Sequence, residues 1–147
     1  MISFYLSNIE LLRKDVSKGQ IEINTETVMT IKLDLGFEFE YNVKDGRVSI
    51  KFHCAYLLGE DESMPVHYDV LFDYIVNSLS EVLESKEKTK ELHLTLIGIT
   101  YSTLRGIIYM DTRGLKINKL FLPPLSPQEL YTRYLEFVNS GKELHSD

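Results

Sequence analysis

The side chains of this 147-residue chain best suited to acid–base, nucleophilic or metal chemistry are four histidines, one cysteine and the spaced acids Asp69 and Asp73. His53, His67, His93 and His145 form neither an H-E-x-x-H motif nor any other short-spaced ligand pair, so no metal is expected. His53 adjoins Cys54, but neighbours in a strand point to opposite faces and cannot share an ion. Cys54 runs in phase with Val48, Ile50 and Phe52, which reads as a small buried apolar residue rather than a nucleophile. Asp69 and Asp73 share one strand face. Carboxylates so placed can do acid–base work, or they can line a solvated surface. No G-x-S-x-G elbow presents a serine. Gly141-Lys142 is followed by Glu143, so there is no phosphate loop, and no G-x-G-x-x-G occurs. No catalytic residue and no cofactor are expected.

The elements that carry these residues divide the chain in two. From Met29 to Val43 apolar residues occupy the odd positions, and Lys32, Asp34, Glu38 and Glu40 the even ones. That period of two makes a strand with one apolar and one charged face. Fifteen residues would reach about 50 Å, so Gly36 is expected to mark a bend or bulge. Asp45-Gly46 signals a hairpin. Alternation resumes through Val48, Ile50, Phe52, Cys54, Tyr56 and Leu58, and again through Val66, Tyr68, Val70, Phe72, Tyr74 and Val76. Ile2–Leu12 is the fourth strand. The pattern predicts a four-stranded antiparallel meander with one wet face.

The second half loses that period. Residues 80–90 read as a short helix or a loop. Tyr101–Thr112 reads as helix, whereas Leu92–Thr100, with Thr95, Ile97, Ile99 and Thr100 β-branched, fits helix or strand. Arg113-Gly114 is a helix stop. Ser126-Pro127-Gln128-Glu129 opens a second helix, with Ser126 as cap and Pro127 in the first turn. That helix is expected to end at Gly141, closing a single domain over residues 1–141, with a polar tail over 142–147. The fold class is α+β.

Composition narrows the function. Asp and Glu outnumber Lys and Arg by 22 to 16, a balance that repels phosphate backbones and argues against nucleic acid. No apolar run is long enough to enter a bilayer as a spanning helix. A lone cysteine and the absence of a basic, then apolar, start fit a cytoplasmic protein. Two features stand out. Leu92–Met110 is apolar nearly all round, with Gly98, Ser102 and Gly106 at spacings of four. Small residues so placed admit a close backbone, from another subunit or from the chain's own sheet, and mark an oligomer interface. Nine Tyr and seven Phe accompany no Trp. The row Phe37, Phe39, Tyr41 and the apolar connector from Phe121 to Leu125 either belong to the ordinary core or, left exposed, suit an extended apolar peptide.

The stretch Arg105…Thr112-Arg113-Gly114…Leu122-Pro123-Pro124-Leu125-Ser126-Pro127-Gln128-Glu129-Leu130-Tyr131 resembles the SecB-type protein-export chaperones. That family also has an arginine in a long helix, an R-G stop, a short L-P-P connector and a second helix whose first turn ends in Leu-aromatic. Phe4-Tyr5-Leu6-Ser7-Asn8-Ile9 resembles the family's first strand, and the order of four strands then two helices matches. Where the family has a proline before that arginine, Tyr101-Ser102-Thr103-Leu104 stands here. The resemblance implies an ATP-independent holdase, a homo-tetramer built as a dimer of dimers, binding unfolded or precursor polypeptides in apolar grooves near the connector. Phe37, Phe39, Phe121, Leu122, Leu125 and Tyr131 are the expected client contacts. Asp69 and Asp73 are expected to dock a basic partner segment, such as the tail of the SecA motor; an antitoxin is another possible partner. Two readings compete: a hotdog-like small-molecule or enzymatic domain, and a structural or adaptor oligomer.

Overall fold

The computed structural model describes residues 2–16, 32–58, 63–115, 122 and 125–145. Four strands come first: β1 (Phe4–Val16), β2 (Lys32–Asn42), β3 (Arg47–Leu58) and β4 (Ser63–Val76). Three helices follow: α1 (Leu79–Glu84), α2 (Lys86–Thr112) and α3 (Pro127–His145). The fold is α+β, as expected. Every pairing in the sheet is antiparallel, in the order β1-β4-β3-β2. The meander covers β2 to β4, and β1 joins beside β4 instead of β2. That placement sets Phe4 against Tyr74, ring centroids 6.2 Å apart, and lets Asn77 N–H donate to the Ser3 carbonyl at 2.9 Å.

Alternation decides the faces of β3 and β4. Val48, Ile50, Phe52 and Cys54 are fully buried, as are Val66, Tyr68, Val70, Phe72 and Tyr74. Each large apolar side chain so buried contributes about 1.5–3 kcal/mol. At Asp45-Gly46 the turn forms as read: Gly46 takes φ +68°, and a Cβ there would stand 3.1 Å from the Val76 carbonyl oxygen. Gly36 makes no bulge, because β2 pairs with β3 in unbroken register through Gly36↔His53. The irregularities lie in β1, between Leu6 and Asn8 and between Leu11 and Arg13. Each slips the strand's phase, so that Phe4, Leu6, Ile9 and Leu11 all pair with core-facing residues of β4.

Leu92–Thr100 resolves as helix. Its β-branched residues weaken local propensity, but α2 lies on the sheet and buries Leu92, Leu96, Ile97, Thr100, Tyr101, Leu104 and Ile108. Twenty-seven residues span about 40 Å, matching a 12-residue β3 of about the same length. Thr95 and Thr103 return their hydroxyls to the carbonyls of Glu91 and Ile99 at 2.8 Å. Tyr74 and Thr100 share a buried 2.7 Å hydroxyl bond, and Tyr68 OH donates to Asp111 at 2.9 Å. Ser85 caps α2 through Lys88 N–H. Gly114, at φ +87°, follows its end. Ser126 Oγ accepts from Glu129 N–H at 3.1 Å at the start of α3. That helix continues to His145, past the expected stop at Gly141, because Lys142, Glu143 and Leu144 all favour helix. No helix among the described residues is long and apolar enough to cross a membrane.

Candidate functional site

The aromatic row of β2 meets α2 and α3 in one cluster. Phe37 stacks between Phe52 and Tyr134, with centroids 5.4 and 5.0 Å away. Phe39 stacks on His93 at 4.2 Å and meets Tyr134 edge-on at 5.4 Å. Tyr41 OH bonds His93 Nε2, and His93 Nδ1 faces Tyr131 OH at 3.4 Å. Burial lowers the His93 pKa to about 4, so the ring is neutral and donates through one nitrogen only.

This packing takes up three of the expected client contacts. Phe37, Leu122 and Tyr131 are buried within the chain, because aromatic pairs add about 0.5–1.5 kcal/mol each to the burial term and hold α3 against β2. Arg105 Nε donates to the Leu122 carbonyl at 3.0 Å and ties the connector to α2. Phe39 and Leu125 are half-buried and keep part of their surface open. Phe121 lies outside the described residues.

Apolar surface is instead exposed on β1 and α2. Tyr5 is 62% exposed and Leu11 48%, with Leu6, Ile9 and Leu12 beside them, and on α2 Met110 is 55% exposed along with Ile99 and Tyr109. The sequence Ile9-Glu10-Leu11-Leu12 carried a signal for this. Its apolar residues occupy both phases of a strand, more than a single covered face needs. Among the described residues β1 is also an edge of the sheet, where backbone groups can take up another strand.

Among the proposed interface glycines, Gly98 serves the chain itself. A Cβ there would stand 2.9 Å from Pro127 Cγ, so the missing side chain lets α3 start against α2. Ser102 and Gly106 are exposed, and nothing lies within 4 Å of a Cβ built on Gly106.

The opposite face of the sheet is polar. Asp69 Oδ1 accepts from His53 Nδ1 at 2.7 Å, while His53 Nε2 lies 3.1 Å from Asp34 Oδ2. Partial burial pushes the Asp69 carboxyl up, but the His53 hydrogen bond and nearby positive groups outweigh it and hold the pKa below its usual 3.8. Asp73 accepts from Ser49 Oγ at 2.5 Å. Sequence spacing offered no metal-ligand pair, yet the β3–β4 register sets His53, His67 and Asp69 side by side. His67 and Asp69 lie 14 and 16 residues from His53 in sequence, which leaves no short motif to read. Cys54 is sealed on the core side, its thiol pushed up to about 12 by burial and then by Asp34, so it stays protonated.

No sequence family and no curated protein matches this chain. Its structure is similar to that of a SecB-like chaperone from Mycobacterium tuberculosis, solved in complex with a ChAD peptide from the HigA1 antitoxin. The TM-score is 0.53 at 14% identity, over 84% of this chain and 90% of that one. The fold is SecB-like.

Proposed function

We propose that this protein is an ATP-independent holdase that binds non-native polypeptides along exposed apolar surface, in an oligomer built from SecB-like subunits. The observation that carries this reading is the SecB-like fold presenting Tyr5, Ile9, Leu11 and Leu12 on an open edge strand. An extended chain can add main-chain bonds to such an edge and rest apolar side chains beside it. Apolar contact is non-directional, so clients are many and individually weakly held. Several sites on a tetramer raise avidity without new contacts. Phe39 and Leu125 extend the client surface towards the connector. Asp69 and Asp73 favour a basic partner segment on the other face, and the partner's charge must compete there with His53 and Ser49. The polypeptide served is an export precursor or an antitoxin.

Fluorescence anisotropy of a labelled, permanently unfolded polypeptide tests this reading. Saturable binding without nucleotide is expected, with the folded form of the same polypeptide failing to compete. Equal competition by the folded form would overturn it.

A further inference from the structure

The outer face of the sheet holds a cluster of two imidazoles and a carboxylate that client binding along β1 leaves unused. β3 and β4 pair His53 with Asp69 and Ala55 with His67. The two imidazoles therefore stand diagonally across the ladder, centroids 4.8 Å apart. One ligand atom from each of His53, His67 and Asp69 lies within 4.8 Å of the other two. His67 Nε2 is 3.4 Å from Asp69 Oδ2. His67 is only 6% exposed, yet neither ring nitrogen has a hydrogen-bond partner. A buried polar group left without a partner is costly, and an imidazole nitrogen beside a carboxylate forms a ready donor pair for a metal ion.

We propose that His53 Nδ1, His67 Nε2 and the Asp69 carboxylate bind a divalent transition ion of the zinc class. Two imidazoles and one carboxylate suit zinc, whereas magnesium and calcium prefer oxygen throughout. Tetrahedral bonds of about 2.0–2.1 Å set donors roughly 3.3 Å apart. His53 Nδ1 and Asp69 Oδ1, now at 2.7 Å, must part slightly, and the widest pair must close from within 4.8 Å. Rotation of the half-exposed His53 and Asp69 side chains supplies both movements.

Two neighbours complete the site. With Nδ1 on the ion, His53 Nε2–H donates to Asp34, the carboxylate–histidine pairing that fixes the tautomer and strengthens the ligand. Gly36, opposite His53 on β2, leaves open space where a side chain would stand. A fourth position therefore faces a depression of about 390 Å³, free for water or a donor from another molecule. Lys51 lines that depression, but so do Asp34, Glu38 and Asp69, and the charge stays negative.

The test is independent of chaperone activity. Untagged, metal-stripped protein is titrated with cobalt(II) by visible absorption, and zinc(II) is then used to displace it. One cobalt per chain is expected, with the d–d absorption of a low-coordinate site, displaced by zinc and indifferent to magnesium. His53→Gln and His67→Gln should each weaken binding about tenfold or more, and His93→Gln should not. His53→Gln alters a half-exposed side chain, so it decides the matter even if His67→Gln fails to fold. Absence of saturable cobalt binding, or binding unchanged in His53→Gln, overturns the site.

Discussion

His93 sits where β2, α2 and α3 meet, packed by Phe39, Tyr41, Tyr131 and Tyr134. Its pKa in the folded chain is about 4, against 6.5 when unperturbed. The unfolded chain therefore binds more protons between those values, and stability rises with pH across that window. As pH falls from about 6.5 towards 4, the thermal midpoint should drop, and His93→Gln should flatten that slope. Protonation of Asp69, whose folded pKa lies below its usual 3.8, removes stability at the acid end of that window in both proteins, so the difference between wild type and His93→Gln isolates the share of His93. Circular dichroism melts at half-unit pH steps check this; an equal slope in His93→Gln would remove His93 as the cause. The Phe37–Phe39–Tyr41 row was legible from its alternation. The packing of Tyr134 on Phe37 and Phe39 was not, because that ring comes from α3, 95 residues from Phe39, and no local period records such a contact.

Helix α2 shows where local reading fails and why. The run from Thr95 to Thr100 has strand-like residues, and only burial on a finished sheet makes it helical. The β1 register was hidden for a related reason: its two slips have no local marker, and Gly36, the residue that resembled one, pairs regularly. By contrast, Ser126-Pro127 and Gly114 were legible, since caps act on the residues beside them. The two helical glycines predict different outcomes. Gly98→Leu collides with Pro127 and should loosen α3, seen as faster limited proteolysis at unchanged assembled mass. At Gly106 a Cβ would have nothing within 4 Å among the described residues, so Gly106→Asp should leave the fold intact. It places a charge beside the exposed Ile99, Tyr109 and Met110, so the assembled mass by light scattering should fall. An unchanged mass would move the subunit interface elsewhere.

For the whole molecule, the SecB-like layout gives the sheet one face covered by α2, one polar face and, among the described residues, an apolar edge strand in β1. Among the described residues, Leu6, Ile9 and Leu11 on β1 and Ile99, Tyr109 and Met110 on α2 keep apolar surface exposed, and Leu6, Ile9 and Leu11 pair with core-facing residues of β4, away from the acidic row. On the proposed reading, assembly and client binding share that surface, and transfer to a partner takes the place of nucleotide hydrolysis as the means of release. The most direct measurement is light scattering from a chemically denatured, unrelated protein diluted into buffer without ATP. Near-stoichiometric amounts of this protein should suppress the rise in scattering, and the double substitution Ile9→Asp with Leu11→Asp should abolish most of that suppression. Undiminished aggregation at several-fold excess of the wild-type protein would contradict the account.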